Sequence, residues 1–144
     1  MLSTMKNLAK EKDICVLATA SGGVPHCSLM AYVTDKECSE IYMATQRNTQ
    51  KYKNVLENPS VSILIDTREE HKGPHRHEAK AMTVAGKCEL IEGEAKKGLV
   101  RTTLLERHPH LKEFLNHPDA AFLCVRVSSF LLLNGLTNAY FEEV

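Results

Sequence analysis

The stretch Glu40–Thr67, EIYMATQRNTQKYKNVLENPSVSILIDT, reads as strand, polar turn, short helix, Asn-Pro stop and strand. Ile41 and Met43 alternate with Tyr42 and Ala44, and Ser60–Ile65 repeats the alternation as SVSILI, the two-residue period of a pleated strand. Between them, Thr49–Glu57 places Tyr52, Val55 and Leu56 at i, i+3 and i+4, on one face of a helix. Asn58-Pro59 ends that helix, because a proline disfavours α geometry in the residue before it.

The charges in this stretch run against the helix dipole. Arg47, Lys51 and Lys53 crowd the start, where unpaired amides already carry partial positive charge, and Glu57 sits at the negative end. Two readings are open. One is a solvated basic turn, the commoner fate of Lys and Arg on a surface helix. The other is an anion site, in which free amides, the Thr49 hydroxyl and basic side chains converge on one phosphate.

On the N-terminal side, Ser3 or Thr4 is expected to cap a short helix that presents Met5, Leu8 and Ala9 on one face. Ile14–Ser21 reads as a strand, Gly22-Gly23 as a two-residue hairpin turn, and Pro25–Val33 as the return strand. With Thr34–Ser39 as a second turn, these strands and the one from Glu40 are expected to form a three-stranded meander. On the C-terminal side, Arg68–Lys80 (REEHKGPHRHEAK) has no apolar period and reads as a mobile loop or a flared hairpin. Ala81–Ile91 is a long strand, and Gly86 inside it marks a bulge or a close approach to the backbone. Glu94–Arg107 follows as a helix with Ala95, Leu99, Val100, Thr103 and Leu104 as its buried stripe. A short helical piece from Leu111 to Asn116 and two strands, Ala120–Val127 and Phe130–Leu133, complete the order; the tail from Asn134 has no assignable period.

Short strands at close spacing with helices between them point to one mainly β domain over residues 1–144. The fold class expected is an antiparallel split β-barrel of six or so strands with flanking helices. Eighteen basic residues balance eighteen acidic ones, so no net field gathers nucleic acid or an anionic membrane, and any anion recognition is local. No apolar run approaches the ~20 residues of a membrane span. The N-terminal segment lacks the apolar core of a signal peptide. Five scattered cysteines without a C-x-x-C pair suit reduced thiols in a cytoplasmic protein.

Taken together, GGVPHCSLMAYVTD, IYMATQRNTQKYKNVLENPSVSILI and TVAGKCELIEG resemble the second to fifth strands of the pyridoxamine 5′-phosphate oxidase-like, FMN-binding split-barrel family, over about residues 13–133. The resemblance implies a homodimer with FMN at the subunit interface and a small-molecule substrate, with no nucleic acid or membrane partner. It places the flavin phosphate on Thr49, Gln50 and Lys51, with Arg47 or Lys53 as the second cation. The ring would lie against the backbone of Ser28, Leu29, Met30, Ala31 and Tyr32, and against Ala44 and Thr45. Where the family carries arginine in the phosphate triplet this chain has Gln50. Where it carries basic residues at the ends of the second-strand motif, this chain has Cys27 and Tyr32. No C-terminal Arg-x-His pair of the vitamin oxidases is present.

The expected activity is thus FMN-dependent oxidoreduction, with electrons from a reduced nicotinamide passed to a small acceptor or to oxygen, and with pyridoxamine phosphate itself disfavoured as substrate. The alternatives are a non-catalytic flavin or haem binder on the same fold, or a deazaflavin in place of FMN. No catalytic acid or base is assigned; Tyr32 and Tyr140 read as packing residues. His71, His75 and His77 form H-x-x-x-H-x-H, a spacing that can hold a metal, but on a flexible polar loop without cysteine they read as solvated, and no metal site is assigned. His108, His110 and His117 flank prolines at helix ends, and Cys27 reads as packing.

Overall fold

The computed structural model describes residues 1–144. In chain order it contains α1 (Leu2–Glu11), β1 (Ile14–Ser21), β2 (Val24–Ala31), β3 (Val33–Thr34), β4 (Glu40–Gln46), α2 (Gln50–Glu57), β5 (Ser60–Asp66), β6 (Lys80–Leu90), α3 (Glu94–Arg107), α4 (Lys112–Leu115), β7 (Ala120–Asn134) and β8 (Asn138–Glu143). Met5, Leu8 and Ala9 of α1 are buried as expected, but the helix starts at Leu2, so Ser3 and Thr4 lie inside it and cap nothing. No helix is long and apolar enough to cross a membrane.

All pairings are antiparallel, in the order β2-β1-β5-β6-β7-β4-β3, with β8 also on β7. The strands at the two ends of this order, β2 and β3, are separated in sequence by one residue, Tyr32. The sheet therefore curls until its edges face each other, and since no ladder joins β2 to β4 the barrel stays split there. This corrects the expected meander. The β1–β2 hairpin forms through Gly22 and Gly23, both at positive φ (57° and 78°), as a tight turn with right-handed strand twist requires. The return strand meets β4 only at its end, where Val33 pairs with Tyr42 in the two-residue β3, while β4 makes its seven-residue ladder with β7 rather than β2.

A second correction concerns β7. The alternation that suggested two strands breaks at Val127–Ser129, and the cause is a bulge: Ala85 pairs with Ser129 and Gly86 with Val127, leaving Ser128 extra. One added residue exchanges the faces, so Leu123 and Val125 point inward before it, and Phe130 and Leu132 after it. The strand continues, pairing β4 with its first half and β8 with its second. The unassigned tail is thus the eighth strand. Gly86 fulfils both readings made of it, since a Cβ there would stand 2.4 Å from the Arg126 carbonyl oxygen.

The barrel interior holds one core, including Leu17, Ile41, Ile63, Ile65, Met82 and Phe130, all fully buried. Each such side chain is worth about 1.5–3 kcal/mol of burial. A smaller core on the outer face joins Ala44, Phe122 and Cys124 to Val100, Leu104 and Leu115 of α3 and α4. Only part of the expected α3 stripe is buried: Ala95 and Leu99 are exposed, because the helix meets the sheet with its second half. Arg68–Ala79 is a flared hairpin connection closed by a 3-10 turn at Gly73–Glu78, not an unstructured loop.

Candidate functional site

At the end of β4 the chain turns into α2 through Thr49, whose extended backbone makes it the N-cap. Its hydroxyl accepts from the Tyr52 amide (3.3 Å), donates to the Gln46 carbonyl (2.8 Å) and lies 3.1 Å from the buried Thr45 hydroxyl. The backbone amides of Gln50 and Lys51 find no acceptor in the chain. No acidic residue stands in the first turn of α2. Lys51 is half-buried, forms no ion pair, and loses part of its proton affinity to desolvation. A cation and two free amides are therefore gathered with no anion to answer them.

Gln50 is committed elsewhere. Its side-chain Nε2 donates to Asn54 Oδ1 (2.8 Å), and Asn54 Nδ2 donates to Thr19 Oγ1 of β1 (3.0 Å). Asn54 and Thr19 are both 2% exposed, so this chain of bonds holds the start of α2 over the barrel end. Neither residue was expected at the site; the available signal was Asn54 at i+4 from Gln50, a polar residue beside the apolar face. Leu56, assigned to that face, is 56% exposed, and Asn54 takes the buried place beside Val55. Ser21 of β1 donates to Glu57 at the other end of the helix.

The remaining sequence-derived positions divide. In β2, Ser28 and Met30 pair with Leu17 and Cys15 and share their inward face, whereas Leu29 is 74% exposed on the outward face, with Ala31 and Cys27 on the same side. Tyr32 is fully buried. Its amide donates to the Asp13 carbonyl (3.0 Å), its phenol to the Ala9 carbonyl (2.5 Å), and its own carbonyl takes a bond from His108 Nε2 (3.0 Å). Burial holds that phenol well above the usual tyrosine range. Ala44 belongs to the core beneath α3, and Thr45 points at Thr49. Arg47 turns away toward the lead-in of β7, where Nη1 donates to the Pro118 carbonyl (3.2 Å). Thr45, Thr49, Gln50 and Lys51 thus form one cluster, with β2 at the facing edge of the split and Ala44 and Arg47 outside it.

The three loop histidines do not converge. Nδ1 of His71 meets the Thr67 hydroxyl (2.8 Å), that of His75 a Glu78 oxygen (2.9 Å) and that of His77 the Pro74 carbonyl (2.9 Å). No three His, Cys, Asp or Glu side chains are grouped to hold a metal ion. Burial pushes the thiols of Cys15 and Cys88 up to about 12, and burial with a bond to Glu40 does the same for Cys124. They remain protonated packing groups.

The outward face of the sheet carries a lateral row through six strands: Leu29, Val16, Leu64, Thr83, Leu131 and Phe141 are successive cross-strand partners. No helix covers it. Leu29, Val16 and Leu64 also floor a cavity of about 260 Å³ whose rim ties Lys12 to Glu70 and Arg68 to Asp66.

Comparison with known proteins agrees with this architecture. A haem-binding protein from Mycobacterium smegmatis superposes with a TM-score of 0.82 at 18% identity, over 98% of this chain and 57% of that one. The ChuZ protein of Campylobacter jejuni gives 0.84 at 15% identity, over 99% of this chain and 58% of that one. This chain thus spans little more than half the length of either. An FAD-binding protein from Mesorhizobium loti gives 0.74 at 15% identity, over 92% and 93%. No curated protein sequence matches. The family model for pyridoxamine 5′-phosphate oxidase matches residues 1–132, and the chain belongs to that family.

Proposed function

We propose that the chain binds FMN in the split between β2 and β4 and acts as an oxidoreductase on a small molecule. The phosphate sits on Lys51, Thr49 and the free amides of Gln50 and Lys51, and the ring lies along the β2 backbone from Ser28 to Tyr32, near Thr45. The observation that carries this reading is Lys51: a half-buried ammonium without a carboxylate, at a helix start without an acid. An anion there answers a charge that the fold leaves unanswered. Gln50, bonded to Asn54, serves the helix frame rather than the phosphate. The bound flavin supplies the hydride and electron chemistry; the chain positions it and excludes water.

The same reading makes the protein a cytoplasmic homodimer that packs through the bare apolar row. A second copy there would cover Leu29, Leu131 and Phe141 and enclose the cavity at its β2 end. Flavin titration tests the phosphate site: Lys51→Ala should weaken FMN about tenfold or more, the worth of one charge-assisted hydrogen bond, while Lys72→Ala should not. Bleaching of the bound flavin by NADH or NADPH tests turnover.

A second reading, a flavin or haem binder without turnover, draws on the groups near the split. The Tyr32 phenol is spent on Ala9 and burial keeps the Cys15 thiol protonated, so neither is free for chemistry. A flavin band inert to every reductant, or a Soret band, would favour it.

A further inference from the structure

The cavity of about 260 Å³ lies on the outward face of the sheet, where β2, β1 and β5 run side by side. Its floor is hydrocarbon that solvent can reach. Ile14 and Val16 stand two residues apart on one face of β1, and Leu29 and Leu64 are the cross-strand partners of Val16 on either side. Leu29 is 74% exposed and Ile14 44%, and Val16 and Leu64 are half-buried. The rest of the lining is charged: Asp13, Asp66, Glu69 and Glu70 against Lys12 and Arg68. Both cations are already spent, Lys12 on Glu70 and Arg68 on Asp66. The first of these pairs joins the α1–β1 link to the connection after β5 and walls the floor on that side. Four acids less two cations leave a surplus of two negative charges, and Asp13 and Glu69 have no ion pair within the chain. The acids are spread around the rim rather than gathered, and no three of them are grouped to hold a metal ion. Surplus negative charge beside an open aliphatic floor is the complement of a cation with a hydrocarbon body, and it repels any ligand that also carries a phosphate.

We propose that this cavity binds a small aliphatic ammonium, its hydrocarbon on Leu29, Val16 and Leu64 and its charge toward Asp13 and Glu69. The site goes beyond the flavin reading and does not depend on it, since it uses none of the groups at the start of α2. Cyclohexylammonium chloride is the probe and cyclohexanol its neutral isostere, followed by amide chemical shifts of the whole chain. The ammonium should move the amides of Ile14, Val16, Leu29 and Leu64 and saturate with a dissociation constant on the order of 1 mM, as befits about seven heavy atoms on an open site. Cyclohexanol should bind about threefold to tenfold more weakly, and added salt should narrow that gap. Asp13 and Glu69 are exposed, so Asp13→Asn and Glu69→Gln test the charge without disturbing the core. Each should weaken the ammonium about twofold to fourfold and leave cyclohexanol unchanged, whereas Leu29→Ser should weaken both probes. Equal affinity of the two probes, unchanged ammonium binding in both carboxylate variants, or shifts confined to Gln50 and Lys51 would overturn the proposal. So would the absence of shifts with either probe, the result expected if a second copy of the chain fills the cavity. Lys51→Ala should leave ammonium binding intact, so the flavin site and this one stand or fall separately.

Discussion

The imidazole Nε2 of His108 lies 3.0 Å from the backbone carbonyl of Tyr32, a residue 76 positions earlier in the chain and directly between the two edge strands. The bond pins the joint at which the barrel stays open. The neighbouring Arg107 donates to the Lys10 and Glu11 carbonyls at the end of α1 (2.9 and 3.0 Å), so the C-terminus of α3 holds both the joint and the first helix. Replacing His108 by alanine strands a buried carbonyl and leaves a void, at a cost of about 2–4 kcal/mol. His108→Gln, which keeps a donor, should recover part of it in urea denaturation. Equal stability of wild type and His108→Ala would show the joint is held by packing alone.

Two glycines give a matched test of the bulge. Gly86→Ala forces a methyl against the Arg126 carbonyl and a Val125 methyl 2.8 Å away, and should cost about 1–3 kcal/mol or more. Gly98→Ala has open space around it within α3 and should stabilise by about 0.5–1 kcal/mol. Thermal unfolding of both variants should shift in opposite directions.

Thr49 has a structural duty that Ser can perform and Ala cannot. Thr49→Ala should lose about 0.5–2 kcal/mol of stability with the cap and weaken flavin as well, whereas Thr49→Ser should keep both. Calorimetry and flavin titration on the two variants separate the hydroxyl from the methyl.

Glu40 governs part of the acid sensitivity. Burial alone would raise its carboxyl, but bonds from Cys124, Tyr42 and Lys96, with the Lys96 charge, bring it below the ordinary 4.5. A carboxylate depressed in the folded state stabilises above its unfolded value, and that contribution disappears as pH falls through the folded one. Asp66, held low by its hydrogen bond from Arg68, acts in the same sense. Stability should therefore drop as pH falls below about 4.5, and Glu40→Gln should flatten that drop while lowering stability at neutral pH. An unchanged acid limb in the variant's pH titration would place the sensitivity elsewhere.

Leu131→Glu, on the outward row, should convert the proposed homodimer to a monomer in light scattering after gel filtration. Leu56→Glu, equally polar but on the exposed side of α2, should leave the dimer intact. Dissociation by both, or by neither, would move the interface off this face.

Much of this was legible in the chain. The alternation of β1, β4, β5 and β6, the double-glycine turn, the Thr49–Glu57 helix with its Asn-Pro stop and the resemblance to the oxidase family all follow from local pattern, because strand and helix periods are properties of neighbouring residues. What tertiary structure decided is of another kind. That β4 leaves β2 for β7, that Ser128 is a bulge rather than a break and that the tail is a strand depend on partners distant in sequence. The division of the site was likewise invisible: which of Ser28 to Tyr32 face inward, and that Arg47 swings to Pro118 while Gln50 is taken by Asn54, is set by contacts across the fold. A sequence states which side chains carry charge, but whether a charge is drawn out of solvent without a partner is settled only when the chain closes on itself, as it is for the half-buried Lys51 at the start of its helix.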